Sequence, residues 1–462
     1  MLKLFWQKIK INKILLTIFL WFAVLNNNAF AQENLVNSLD KVINNSVLSQ
    51  KSIIAVSIRD VNSENIIYER NSRLLLHPAS TLKAFTTPVV LNTLGKDYKI
   101  ATNLYKSSNN DNLYLKLSAD PFLTSNDLSD MFKTLKNKGI DRIKGSMIID
   151  DSVIDNKEWG KGWMWDDNND ESMPKFSSYN LNHNLFKVKI LPAQKGFPPQ
   201  VMVDLPYQIN IINNAITSTK NNIIVEKSTQ NSEALDILGE IKTPTETYIP
   251  VENTKKYFIE NLKQIIKANN IEFNGDVQIE KTPQDVILIN SIEHNLSDEV
   301  ASINHKSDNM GAETLFKLAG GEFTHSQGST MNGFKAFNSF YSNLGMNLND
   351  LKLVDASGVS HYNLMQSDWM SLALCRLYKS NLSDIYVNSL AQPQQYGTLQ
   401  ARLKTSTFKV FAKTGTLSGV SGITGYLQTD KTYSFVILIQ NYSGQSKCAK
   451  DLEDKIINLL GQ

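Results

Sequence analysis

Apolar positions along the chain fall into strand-like and helix-like blocks. Ser52–Ile58 is rich in Ile, Val and Ser, a turn follows at Asn62-Ser63-Glu64-Asn65, and Ile66-Ile67-Tyr68 resumes the run, so the pattern predicts a hairpin. Toward the other end, Lys409–Thr416, Ile423–Gln428 and Tyr433–Gln440 predict three strands, with a tight turn at Thr429-Asp430-Lys431. A closing helix is expected over Lys450–Leu460. Helical spacing dominates Ser297–Lys317 and returns around Gln366–Tyr378. Strands from both chain ends are therefore expected to share one sheet, with helices between them in sequence.

The middle is organised differently. Asp127–Lys138 reads as a helix, followed by Gly139 and a strand near Gly145–Asp150. Glu252–Asn269 repeats the helix, and Gly275–Glu280 repeats the glycine and strand. These read as two halves of one inserted module. Between them, residues 186–244 are rich in Asn, Thr and short β-branched runs such as Ile223-Ile224-Val225, which predicts a small β-rich insertion within the insertion.

The first residues predict a leader rather than fold. Lys3, Lys8, Lys10 and Lys13 precede an apolar run from Ile14 to Leu25, and Ala29-Phe30-Ala31 supplies a small-x-small cleavage site before Gln32. A run of twelve residues, apolar but for Thr17, is too short to span a bilayer comfortably. Residues 1–31 are thus expected to be a signal peptide, and the remainder an exported, periplasmic protein without a stable membrane span.

Composition then narrows the chemistry. The 462 residues carry a formal net charge of +2, with 42% hydrophobic and 20% charged residues, an ordinary globular balance. Near-neutral charge argues against nucleic acid as a partner. Two Cys exclude a disulfide scaffold and cannot build a zinc cage, and the six His lie scattered with no H-E-x-x-H, so no metal or other cofactor is expected. In an oxidising compartment Cys375 and Cys448 either pair or leave Cys375 as a buried thiol; the sequence leaves both open.

No G-x-S-x-G occurs. Four S-x-x-K strings do, at Ser38/Lys41, Ser80/Lys83, Ser172/Lys175 and Ser406/Lys409. On a helix, positions i and i+3 share a face, and a buried lysine loses its proton readily enough to act as a base. Pro174 interrupts the third string, Ser406 precedes a predicted strand, and Ser38 lies close to the mature terminus. Ser80 follows His77-Pro78-Ala79 and opens an apolar helical stretch, with proline where a helix start tolerates it. Lys413-Thr414-Gly415-Thr416 lies on a predicted strand; Lys413 would bind a carboxylate, and Gly415 would let a substrate backbone approach the strand edge. Ser307-Asp308-Asn309 opens a predicted helix. S-x-N is common here, matching also at Ser63, Ser108, Ser178 and Ser302, and Ser307 reads equally as a helix N-cap.

The order S-x-x-K, S-x-N, K-T-G belongs to β-lactamases and penicillin-binding proteins. Ser307 to Lys413 is 106 residues, whereas Ser80 to Ser307 is 227, more than a compact β-lactamase needs. The chain resembles the low-molecular-mass class C penicillin-binding proteins, the D-alanyl-D-alanine carboxypeptidase/endopeptidase family S13. Further matching segments are Trp163-Met164-Trp165-Asp166-Asp167, Ser357-Gly358-Val359-Ser360 and Gly397-Thr398-Leu399. The resemblance implies an α/β fold of the serine β-lactamase/DD-peptidase type, an antiparallel sheet flanked by helices, with a large module inserted between the first and second motifs. The corresponding division is residues 32–98 and 287–462 for the penicillin-binding domain, 99–185 and 245–286 for the inserted α/β domain, and 186–244 for the small β-rich domain.

The resemblance also implies roles. Ser80 attacks the carbonyl between two D-alanines, Lys83 takes its proton, and Ser307 relays it to the leaving amine while Asn309 holds a substrate amide. The backbone N–H groups of Ser80 and Thr416 form an oxyanion hole. Lys413, Thr414 and Thr416 hold the terminal carboxylate, with Gly415 between them. Peptidoglycan stem peptides and β-lactams are the implied partners; the oligomeric state is not legible. A β-lactamase-like hydrolase of similar fold is the alternative, but E-x-x-L-N does not occur and Ser307 stands where a class C enzyme has Tyr. A non-catalytic wall-binding or β-lactam-sensing module is the other. The chain departs from the family's usual Gly-Ser-Gly-Asp-Pro at Leu117-Ser118-Ala119-Asp120-Pro121, from Asp-Gly-Ser-Gly at Asp355-Ala356-Ser357-Gly358, and from Ser-Arg at Ser360-His361. Pro88 falls inside the helix after Ser80 and is expected to remove one backbone bond and kink it.

Overall fold

The computed structural model describes residues 32–108, 111–229, 233–404 and 408–462. The expected leader and Ser406 lie outside the described residues. Among the described residues, no helix is long and apolar enough to cross a membrane.

The chain ends meet in one antiparallel sheet, ordered Lys409–Leu417, Val420–Gln428, Thr432–Gln440, Ile53–Asp60, Ile66–Arg70. Register is set by the pairing of Ile53 with Gln440 through Asp60 with Tyr433. The central strands are buried on both faces, so their sequences run almost continuously apolar instead of alternating. One face packs on a helix over 32–44 and the closing helix Lys447–Leu460, with Leu39, Ile43, Leu452 and Ile456 in the seam. The other packs on helices Lys83–Leu94, Asn309–Thr324, Thr330–Asn343 and Ser367–Tyr378, around Phe85, Phe316, Phe337 and Leu374.

The helix after Ser80 runs through Pro88 without ending. Proline lacks the N–H that would reach back to the carbonyl of Ala84. The hydroxyl of buried Tyr386 donates to that carbonyl at 2.8 Å, and Tyr341 donates to the next one, of Phe85, at 2.9 Å. Tyrosines from two other helices thus satisfy the backbone where Pro88 removes a bond.

A second five-stranded sheet runs Val277–Ile279, Met147–Asp150, Leu113–Lys116, Lys99–Ser107, Val286–Asn295. The two helix–glycine–strand repeats pair as expected, Met147–Asp150 lying parallel to Val277–Ile279 and Arg142–Ile143 parallel to Glu272–Phe273. Their helices, Ser125–Asn137 and Thr254–Ala268, share a core with Leu128, Phe132, Phe258 and Leu262. The predicted crossing at 287 moves: Val286–Asn295 is one continuous strand antiparallel to Lys99–Ser107, so the chain leaves this sheet only at helix Leu296–Lys306. That strand is half-exposed and carries Asn, Ser, Glu and His, which hid it. Likewise Thr245–Pro250 pairs with Leu185–Leu191, so the small β-rich region reaches past its predicted ends at 186 and 244. Cys375 and Cys448 do not pair; Cys375 is buried against Ser434 and Cys448 is exposed.

Candidate active site

Pro78 precedes a single 3-10 turn, Ala79–Leu82, that feeds directly into helix Lys83–Leu94. Ala79 adopts φ 47°, a left-handed conformation that needs outside support. Gln440 donates to the carbonyl of His77 at 2.7 Å, and Thr81 donates to that of Pro78 at 2.5 Å. Two glycines complete the clamp. A Cβ on Gly358, which has φ +84°, would lie 1.8 Å from the Ala79 oxygen. A Cβ on Gly415 would lie 2.9 Å from the amide nitrogens of both Ser80 and Thr81. Gly415 therefore also makes room for the backbone of the Ser80 turn.

Lys83 is fully buried, and its ammonium donates to three acceptors: Ser80 Oγ at 3.0 Å, Asn309 Oδ1 at 2.6 Å and the Ser357 carbonyl at 2.8 Å. Burial pushes its pKa down to about 8, while the carboxylates of Asp355, Asp308 and Glu313 oppose the shift. Lys413 is equally buried on the edge strand Lys409–Leu417 and donates to the Thr414 carbonyl at 2.9 Å. Burial, then the charge of Lys83, hold its pKa well below the usual lysine value. The repulsion between the two lysines thus falls on Lys413, because Lys83 has the carboxylates of Asp355, Asp308 and Glu313 nearby to offset it.

The Ala412 N–H points off the sheet edge to the Ala391 carbonyl at 2.9 Å. By the two-residue alternation of a strand, the N–H groups of Thr414 and Thr416 face the same open side. Thr414 is buried and Thr416 exposed.

The second motif differs from its expected form. Ser307 is the left-handed C-cap of helix Leu296–Lys306, at φ 65°, and does not cap the next helix. Asp308 does, accepting from the Gly311 N–H at 3.1 Å. The half-buried Ser307 hydroxyl is therefore not committed to a cap. Asp308 also meets His183 Nε2 at 3.1 Å, and Asn309 points inward to Lys83 while its amide donates to the Ser172 carbonyl at 2.9 Å.

The sequence model of the family described as D-Ala-D-Ala carboxypeptidase 3 (S13) matches residues 35–462. The chain belongs to this family. It is 26% identical over 438 residues to the D-alanyl-D-alanine carboxypeptidase DacB of Haemophilus influenzae, covering 89% of this chain and 90% of that one. The crystal structure of penicillin binding protein 4 (dacB) from the same organism superposes with a TM-score of 0.81 at 24% identity, over 92% of this chain and 99% of that one. Its complex with a β-lactam gives 0.76 at 23%, over 92% and 99%.

In this S13 chain a second layer of residues fixes the first. Glu313 accepts the N–H groups of Ala356 and Ser357, both at 2.8 Å, and so aims the Ser357 carbonyl at Lys83. Burial, with Asp355 beside it, pushes the Glu313 carboxyl up to about 7. Asp355 accepts from Gly358, Ser360, Asn363 and the indole of Trp163, at 2.7–2.9 Å. Trp163 packs with Met173, Phe176, Met310 and Val359, which lays the segment around 163–173 of the insertion against the site. His361 is half-buried, 5.1 Å ring to ring from His77, where the family commonly has Arg. Of the other S-x-x-K strings, Ser172 meets the site only through its carbonyl, and Lys175 is paired with Glu252. Glu313 and the Ser172 carbonyl were missed: Glu313 belongs to no motif, Ser172 contributes backbone and not the hydroxyl its string advertises, and only the neighbouring Asp355-Ala356-Ser357-Gly358 hinted at the loop that Glu313 holds.

Proposed function

We propose that this S13 chain is a serine-type D-Ala-D-Ala carboxypeptidase and endopeptidase acting on peptidoglycan stem peptides through an acyl-enzyme that β-lactams trap. The observation that carries the reading is the threefold coordination of Lys83. A neutral amine keeps two hydrogens and one lone pair. Asn309 Oδ1 and the Ser357 carbonyl accept the two hydrogens, so the lone pair is left for the Ser80 hydroxyl. Lys83 is then a base aimed at one proton.

In this mechanism Lys83 takes the hydroxyl proton as Ser80 Oγ bonds to the carbonyl carbon. The oxyanion is held by the N–H groups of Ser80 and Thr416. Collapse breaks the amide bond, and Ser307 passes the proton from Lys83 to the leaving amine. Lys413, Thr414 and Thr416 hold the terminal carboxylate of D-alanine or of the β-lactam. Water then attacks the ester, with Lys83 again as base, and releases Ser80. Asn309 serves by fixing Lys83 as well as by reaching a substrate amide.

The reading extends to organisation and place. The penicillin-binding domain comprises 32–98 and 296–462, and the insertions occupy the residues between. Residues 1–31 direct export, and the enzyme works in the periplasm. Mass analysis of disaccharide-pentapeptide and of a cross-linked dimer after incubation is the test. Loss of one D-alanine and cleavage of the D-alanyl cross-link, both abolished by Ser80→Ala, are expected. Intact substrates with a stable penicillin adduct would replace the peptidase with a β-lactam-sensing module.

A further inference from the structure

Three ionisable residues meet outside the Ser80 site, where the second sheet passes into helix Leu296–Lys306. Asp120 follows strand Leu113–Lys116, His294 ends strand Val286–Asn295, and Glu299 lies in the first turn of the helix. One potential ligand atom from each lies within 4.8 Å of the other two. His294 Nδ1 is 2.5 Å from Asp120 Oδ2, while Asp120 Oδ1 accepts the Phe122 N–H at 2.9 Å. Glu299 is only 3% exposed, and neither of its oxygens meets a donor among the described residues; the group that faces it is the Asp120 carboxylate, close enough to share a proton with it. A buried, unpartnered carboxylate is costly and calls for a proton or a cation. Its charged surroundings make the cost greater: Asp120, Asp308 and Asp298 act on Glu299, and Asp120 and Asp127 on His294, all of them acidic.

We propose that Asp120, His294 and Glu299 bind one divalent cation of the zinc class. An imidazole nitrogen with two carboxylates is a mixed N/O set of the kind zinc takes, whereas magnesium and calcium favour oxygen alone. Ligands at the usual zinc distances stand roughly 3.3 Å apart at tetrahedral angles, so His294 and Asp120 part slightly to admit the ion. The His294 side chain is 29% exposed and opens the route inward, and water takes the fourth place. Zinc here would pin the inserted sheet, through Asp120 and His294, to the helix that ends at Ser307. Sequence spacing conceals such a site, since Asp120 and His294 are 174 residues apart. The proposal stands whether or not Ser80 acts on stem peptides.

The test uses the full chain without an affinity tag, stripped with EDTA and dialysed against micromolar free zinc. One bound zinc per chain by elemental mass spectrometry and a raised melting temperature are expected. Glu299→Gln and His294→Ala should each weaken binding by roughly tenfold or more, since even outer-sphere partners of a zinc ligand are worth that much. Cobalt(II) should give a visible ligand-field spectrum in the wild type that Glu299→Gln loses. Penicillin labelling reports whether each variant is folded. Should a variant fail to fold, wild-type stoichiometry and the cobalt spectrum still decide. Less than one equivalent bound by the wild type, or labelled variants that retain full zinc affinity, would overturn the proposal and leave Glu299 sharing a proton with Asp120.

Discussion

Replacing Lys413 by Met removes one of two buried ammonium groups while nearly keeping its volume, and it separates two roles for that charge. The first is anchoring. A charged hydrogen bond to the carboxylate of a β-lactam is worth about 1.5–3 kcal/mol, so its loss should slow second-order acylation by roughly 10- to 150-fold at every pH. The second is electrostatic. With Lys83 acting in its proposed role as a neutral base, and its pKa at about 8, the wild-type rate should rise steeply between pH 7 and 9. In the free protein burial and the charge of Lys83 hold Lys413 below its usual pKa, and an arriving carboxylate favours its charged form. That charge then disfavours the proton on Lys83. Without it the Lys83 pKa rises, and each unit, about 1.4 kcal/mol, removes a further factor of about ten at pH 7 but little at pH 10. The wild-type to Lys413→Met rate ratio should therefore be larger at pH 7 than at pH 10. Lys413→Arg keeps the charge with altered donor geometry and should shift the profile less. Stopped-flow acylation across this range is the assay, with melting curves to confirm folding. A ratio constant with pH would refute the electrostatic role and leave Lys83 neutral through burial alone.

Four further outcomes are expected. Ser80→Ala should abolish covalent labelling by a fluorescent penicillin, whereas Ser38→Ala and Ser172→Ala should label normally; gel fluorescence of folded protein decides it. Gly415→Ala should cut acylation at least about tenfold, because its Cβ would lie 2.9 Å from the backbone nitrogens of Ser80 and Thr81, which cannot swing away. Tyr386→Phe should cost about 1–3 kcal/mol in urea unfolding by stranding the Ala84 carbonyl, and less in a Pro88→Ala background that restores the missing N–H; equal costs in both backgrounds would reject the coupling. His183 is raised by Asp308, so its ion pair stabilises the fold fully below the ordinary histidine value of 6.5 and is lost as pH rises through the folded value. The melting-temperature gap between wild type and His183→Gln should accordingly narrow from pH 6 to pH 9.

The parts of this site that chemistry spells in short strings were legible. Ser80 and Lys83 announced themselves because a helical turn places i and i+3 together and Pro78 marks its start. The edge strand was legible because Lys413-Thr414-Gly415 occurs once in the chain, in a block that reads as a strand. Long-range satisfaction of polar groups was not. Nothing local says that Glu313 caps the amides of Ala356 and Ser357, or that Tyr386 repairs the helix at Pro88, since each pairing depends on tertiary placement. Ser307 was read as beginning a helix because S-x-N resembles a cap, yet Asp308, a stronger acceptor one residue on, takes that place. Val286–Asn295 was missed for the opposite reason: its polar residues obscure the strand signal.

The first sheet needs both ends of the chain, and this orders events during synthesis. Ile53 pairs with Gln440, so the hairpin carrying the approach to Ser80 has no neighbouring strand until almost the whole polypeptide exists. The second sheet closes within residues 99–295 and can form long before. Domains generally acquire structure as their residues emerge. A nascent chain that has not yet delivered Lys409–Leu417 carries Ser80 without Gly415 to brace its turn and without Lys413. On the proposed role of Ser80, the serine should be inert through most of translation, and acylation should become possible only as one of the last events of maturation. A family of C-terminal truncations should accordingly lose penicillin labelling abruptly, as an all-or-none step, rather than by degrees.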